Sequence, residues 1–146
     1  MKKFTQCVCI LLVCVMMFST TAFAAGTTEP RASDYFAASS VYFWHTSGNN
    51  YQIWFDVTAV GGMAELGTSK IQVQRSTDES NWTTVRTYYK EDYSQMIKTN
   101  TGHYGNCVPF TATTGYSYRA VVTLYAKNSS GGTGTMRTTT ALLDLR

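Results

Sequence analysis

One stretch constrains the fold more than any other: Thr114-Gly-Tyr-Ser-Tyr-Arg-Ala-Val-Val-Thr-Leu-Tyr-Ala126. Read with period two, Tyr116, Tyr118, Ala120, Val122, Leu124 and Ala126 share one face, and Ser117, Arg119, Val121, Thr123 and Tyr125 share the other. One face is wholly apolar or aromatic and the other is mixed. That pattern requires a strand with one side on a core, because successive side chains in a strand point to opposite faces. Gly115 launches the strand, and Asn128-Ser-Ser-Gly-Gly-Thr-Gly134 ends it.

The rest of the chain repeats the same theme. Ser40–Trp44 is rich in β-formers, and His45–Asn50 reads as a turn. In Tyr51–Val60, Tyr51, Ile53, Phe55 and Val57 share a face, with Gln52, Trp54, Asp56 and Thr58 opposite. Gly61-Gly62 opens a predicted loop that includes Gly67; Lys70–Arg75 is a short strand with Ile71 and Val73 inward. A polar turn at Ser76–Asn81 leads to a strand at Trp82–Tyr89. Lys90–Gly105 has no period and reads as the longest irregular segment, with room for a short edge strand. Asn106–Phe110 is a strand whose Pro109 places it at an edge or a bulge, because proline cannot donate to a ladder. Thr135–Asp144 closes the chain. About seven strands at roughly ten-residue spacing, with no competing helical period, predict an all-β fold. The expected form is a single antiparallel β-sandwich over residues 40–146.

The N-terminus predicts an address. Lys2 and Lys3 precede an uncharged apolar run, Cys7–Phe18, and then the small-residue site Ala22-Phe23-Ala24. Those three parts in that order are the pattern of a secretory signal peptide cleaved after Ala24. The run is about 12 residues long, against the ~20 needed to span a bilayer. Residues 25–39, polar and containing Pro30, read as a flexible lead-in. Removing residues 1–24 takes Cys7, Cys9 and Cys14, leaving Cys107 alone, so no internal disulfide framework is expected. It also takes two lysines, which lowers the net charge from +3 to +1. A near-neutral domain carries no electrostatic footprint for nucleic acid.

Two segments resemble the fibronectin type III and immunoglobulin-like superfamily. Ile71-Gln-Val-Gln-Arg-Ser-Thr-Asp-Glu-Ser-Asn-Trp-Thr-Thr-Val85 is similar to a third-strand hairpin in such domains. Gly115-Tyr-Ser-Tyr-Arg-Ala-Val-Val122 is similar to their sixth strand. The resemblance implies an immunoglobulin-like sandwich and a tyrosine, Tyr118 by spacing, that anchors a corner through its hydroxyl. The layout as a whole also resembles small secreted single-domain proteins of Gram-positive bacteria, which implies a compartment and no activity.

The residues that could carry chemistry are few. His45 and His103 are the two histidines, and His103 stands four positions from Cys107 in an extended segment. That is about 13 Å at ~3.3 Å per residue, where a nucleophile and its base need ~3 Å. Two scattered histidines and one cysteine do not compose a zinc site. Asp78-Glu79 and Glu91-Asp92 lack the alternating oxygen ligands of a calcium loop. No catalytic residue, metal or cofactor is expected. Aromatic content is the unusual feature, with three Trp and ten Tyr. Trp82 reads as core. Trp54, Tyr88, Tyr93 and Tyr104, with the Lys90–Gly105 segment, form the candidate binding surface, since exposed rings beside amides stack on sugars or anchor proteins. The expected function is a secreted, non-catalytic module binding a cell-wall or host glycan or a protein partner, as a monomer or weakly self-associating. The alternative is a self-associating structural or toxin-like protein, because the Ser40–Trp44 and Thr135–Asp144 segments carry little charge to protect an edge.

Overall fold

A computed structural model describes residues 32–146. The expected signal segment, 1–24, and the first part of the lead-in lie outside the described residues.

The frame is one strand, β2 (Asn50–Ser76), which runs for 27 residues. Its first half keeps strict alternation: Tyr51, Ile53, Phe55, Val57 and Ala59 are buried and the residues between them are half-buried. Gly61-Gly62, expected to open a loop, is instead a bend inside the strand. Two residues without side chains let the ribbon turn, and the pairing register slips there between Thr58 and Met63. Gly67 has a φ of +152°, and a Cβ on it would stand 2.1 Å from the Met96 carbonyl oxygen. Only glycine fits where the neighbouring chain crosses so closely.

The bend gives β2 two sets of partners. One edge pairs with β1 (Phe36–Ser47) and, past the bend, with β5 (Ser117–Lys127). The other edge pairs with β4 (Ile97–Thr111) and then with β3 (Thr83–Tyr89). The far edge of β5 carries β6 (Thr133–Thr139) and the two-residue β7 (Leu143–Asp144). Every pairing is antiparallel, and the seven strands form a single connected sheet. The sequence predicts two packed sheets. The structure has one sheet that curls, so that the inward faces of both halves of β2 meet in one core.

That core joins Ile53, Phe55 and Val57 to Ile71, Val73, Tyr118, Ala120, Val122 and Leu124. The inward face read for β5 is therefore the buried one, and β5 lies between two neighbours as a central strand does. The two margins of the curl are tied across the core. Phe110 of β4 meets Tyr118 of β5 edge to face at 5.3 Å, and the Tyr88 hydroxyl of β3 donates to the Pro109 carbonyl of β4. The Tyr118 hydroxyl accepts from the Thr113 N–H at 2.9 Å and donates to the Thr113 carbonyl at 3.1 Å. These two bonds tie the Tyr118 ring to the backbone just before the turn that launches β5.

Four expectations need correction. The lead-in to residue 39 is not all flexible: a turn of helix, α1 (Ala32–Tyr35), runs directly into β1 at Phe36 rather than at Ser40. Tyr35 and Phe36 are buried. The Tyr35 ring fills the space a side chain at Gly134 would need, 2.4 Å from such a Cβ, which straps this end of the chain to β6. Secondly, the Gly61–Gly67 loop is strand, as described above. Thirdly, Lys90–Gly105 is mostly β4; only Lys90–Met96, with a 3-10 turn at Ser94–Met96, is irregular. The period is hidden because the start of this strand exposes consecutive polar residues, Lys98, Thr99 and Asn100. Lastly, Trp82 is not core. Its indole lies under the Arg119 guanidinium, 4.2 Å from the ring centroid, and its Nε1–H donates to the Glu79 carbonyl at 3.0 Å.

Candidate functional site

The first half of the curl, β1–β2–β4, has an outward face built from cross-strand rows. Tyr42, Trp54 and Cys107 form one row; Trp44, Gln52 and Pro109 form the next. On the other side of the Trp54 row come Ser40, Asp56 and Gly105, then Ala38, Thr58 and His103. Trp54 thus faces away from Ile53 and Phe55, as alternation requires. Its ring lies parallel to that of Tyr42, 4° between planes and 6.4 Å between centroids, an offset arrangement that aromatic quadrupoles favour. The Trp54 Nε1–H donates to Gln52 Oε1 at 3.0 Å, tilting the indole toward the row that holds Trp44. Tyr42 is 41% exposed and Trp44 58%. Three rings therefore share one face, Tyr42 and Trp54 in one row and Trp44 in the next.

A polar pair borders the rings. His103 Nε2 lies 3.1 Å from both carboxylate oxygens of Asp56. Gly105 makes this contact possible: a Cβ there would stand 2.7 Å from Asp56 Oδ2. Cys107 is half-buried on the same face, and burial pushes its thiol up, away from the nucleophilic thiolate.

The four candidate residues do not form one surface. Tyr88 is fully buried and offers nothing to a ligand; burial also raises its phenol. Successive residues of a strand face opposite sides, so Tyr88-Tyr89 puts one ring inward and one outward, and the inward ring is Tyr88. Tyr93 packs edge-on against Tyr88 at 5.1 Å, and its hydroxyl accepts from Arg86 Nη2 at 3.2 Å. Tyr104 lies on the core side of β4, edge-on to Phe55 at 5.9 Å, with its hydroxyl donating to the Gln95 carbonyl at 2.7 Å. Trp54 alone stands on the outward aromatic face. Sequence reasoning missed its neighbours Tyr42 and Trp44, because Ser40–Trp44 is aromatic on both sides and shows no contrast. It also missed Asp56–His103, a contact 47 positions apart.

Among the described residues, no cluster of three or more His, Cys, Asp or Glu is placed to hold a metal ion. No described helix is long and apolar enough to cross a membrane. No family model matches the chain, and searches of curated proteins and of solved structures find no match.

Proposed function

We propose that this chain is an exported, non-catalytic binding module, and that its ligand is a glycan taken up by the outward face of β1–β2–β4. The observation that carries this reading is the parallel Tyr42–Trp54 pair beside the exposed Trp44. Large rings left in water at adjacent rows of one sheet form a patch of the kind that marks a ligand or partner surface. Flat rings suit the C–H face of a pyranose. The amide of Gln52, the hydroxyl of Thr58 and the Asp56–His103 pair suit the hydroxyls around its rim. The Tyr118 corner supports the likeness to immunoglobulin-like sandwiches; a β2 shared by both halves of one sheet is the point of difference.

The test is binding of the purified protein to a panel of peptidoglycan, wall polysaccharides and host glycans, followed by tryptophan fluorescence. A saturable shift that is lost in Trp54→Ala, retained in Trp82→Phe and accompanied by an unchanged circular dichroism spectrum is expected. A flat panel from a folded monomer removes the reading.

A second reading, self-association, is favoured by a separate observation. The strand path β1-β2-β5-β6 ends in the two low-charge strands β1 and β6, which leaves unprotected edges. Size that grows with concentration, together with a flat panel, selects it.

A further inference from the structure

The curl does not close everywhere. Where the margins part, beyond the Tyr88–Pro109 bridge, a cleft of about 380 Å³ opens between β3 and the end of β4. That volume lies within the range of small-molecule sites, about 300–1,000 Å³. Arg75, Arg86, Phe110, Thr111, Thr113 and Tyr118 line it.

The two arginines are out of keeping with their positions. On β2, Ile71, Val73 and Arg75 share the inward phase, and the first two are fully buried. On β3, Tyr88 and Arg86 share it, with Arg86 paired to Val73. Arg75 and Arg86 are therefore diagonal neighbours across the β2–β3 ladder, on the face that is core one residue pair earlier. The register slips between these pairings, from Val73↔Arg86 to Gln74↔Thr84. Such bulges re-aim side chains and recur beside functional sites.

Both guanidiniums are positioned but not neutralised. Arg75 lies over the Tyr116 ring at 4.4 Å and Arg86 over the Tyr88 ring at 5.0 Å. Arg86 spends one donor on the Tyr93 hydroxyl. Among the described residues, neither has a carboxylate within ion-pair distance. The carboxylates at this end of the sheet, Glu79 and Asp144, are engaged by Arg146 and by Ser117, on the opposite face of β5. Two adjacent like charges with no partner repel each other. A guanidinium resting on an aromatic face still presents its planar N–H fork at the edge, the geometry that accepts a carboxylate or sulfate through two parallel hydrogen bonds. Phe110 and the Tyr118 ring supply an apolar wall for the body that carries the anion.

We infer that this cleft is a binding site for an anionic oxygen group, carboxylate or sulfate, borne on a small ring such as an acidic sugar. It is a surface separate from the aromatic face and stands whether or not that face binds glycans.

The experiment is a titration of the full protein followed by the Nε–Hε NMR signals of its arginines, with glucuronate, its neutral twin glucose, and inorganic sulfate as probes. Glucuronate is expected to move Arg75 and Arg86 saturably, at least tenfold more tightly than glucose. The shifts should vanish in R75Q/R86Q. They should also weaken markedly in R75K/R86K, which keeps the charge and loses the fork. Equal response to glucose, no saturable shift, or full binding by the lysine variant each overturns the inference. Sulfate that binds as tightly as glucuronate refutes the role given to the apolar wall. Circular dichroism of the glutamine and lysine variants separates lost binding from lost fold.

Discussion

The two halves of β2 put the same alternation to different uses. From Tyr51 to Ala59 the inward phase is core throughout and the outward phase carries the aromatic face. From Ile71 to Arg75 the inward phase begins as core and ends at a cleft, in an arginine. Period two reports which way a residue points and nothing about what lies there. In the first half the opposite wall is complete, so an inward position must be apolar. At the end of the second half the margins of the sheet have parted, and an inward position is wet enough to hold a charge.

The most forceful way to break this contrast is a matched pair of truncations. Ile53→Ala, at a fully buried inward site, is expected to cost about 2–5 kcal/mol in equilibrium denaturation. Arg75→Ala, in the same phase of the other half, is expected to stay within about 0.5 kcal/mol. Equal losses would mean that the cleft is core. Next in size is Tyr118→Phe, which strips two backbone hydrogen bonds from the corner beside the cleft and should cost about 1–3 kcal/mol. An unchanged midpoint would show that the ring alone holds the corner.

A smaller effect concerns acid. The Asp78 carboxylate accepts hydrogen bonds from the Asn81 backbone, the Asn81 side chain, the Ser80 backbone and the Ser76 hydroxyl, and these hold it well below the usual carboxylate range. Asp144 is held low chiefly by Arg146. A folded-state pKa below the unfolded one gives stability that is present above the unfolded value, 3.8 for both groups, and lost as pH falls through the folded value. Both groups sit on the outer side of the second half. Their contribution should be flat from neutrality to about pH 5 and decline below that, and D78N should shallow the decline. A loss between pH 7 and 5 that D78N abolishes would contradict the assignment.

The smallest effect is Gly105→Ala. The added methyl displaces Asp56 from His103, and an exposed pair of this kind is worth under ~1 kcal/mol. Stability should barely move while the His103 ring signals shift in NMR. A shift without any change in glycan affinity would exclude the pair from the aromatic site.

The same contrast sets how much of the fold and of its site is legible in the sequence. The inward faces of Tyr51–Val57 and Tyr116–Ala126 were legible, because each is a continuous apolar phase against polar or mixed neighbours. The joining of Tyr51–Val60 to Lys70–Arg75 as one strand was not, because Gly61-Gly62 and Gly67 carry the same signal whether a chain loops or bends. Trp54 was legible as outward by its phase. Tyr42 and Trp44 were not, since Val41 and Phe43 between them are apolar too. Nothing in the sequence singles out Arg75 or Arg86; their meaning depends on which face of the ribbon they occupy, and that requires the register.

The reach of β2 also dictates an order in time. A chain made from its N-terminus completes Ser76 with β1 as the only partner already synthesised. The partners along the rest of β2 arrive with β3 and β4, and finally with β5 at Lys127. At ~5–20 residues per second, that leaves a gap of roughly 3–10 s in which Leu66, Ile71 and Val73 have no core to enter. A chain stopped before Ser117 would hold half a ribbon with nothing to fold against. The last fifth of the sequence therefore decides whether any of the earlier strands have a stable place to go.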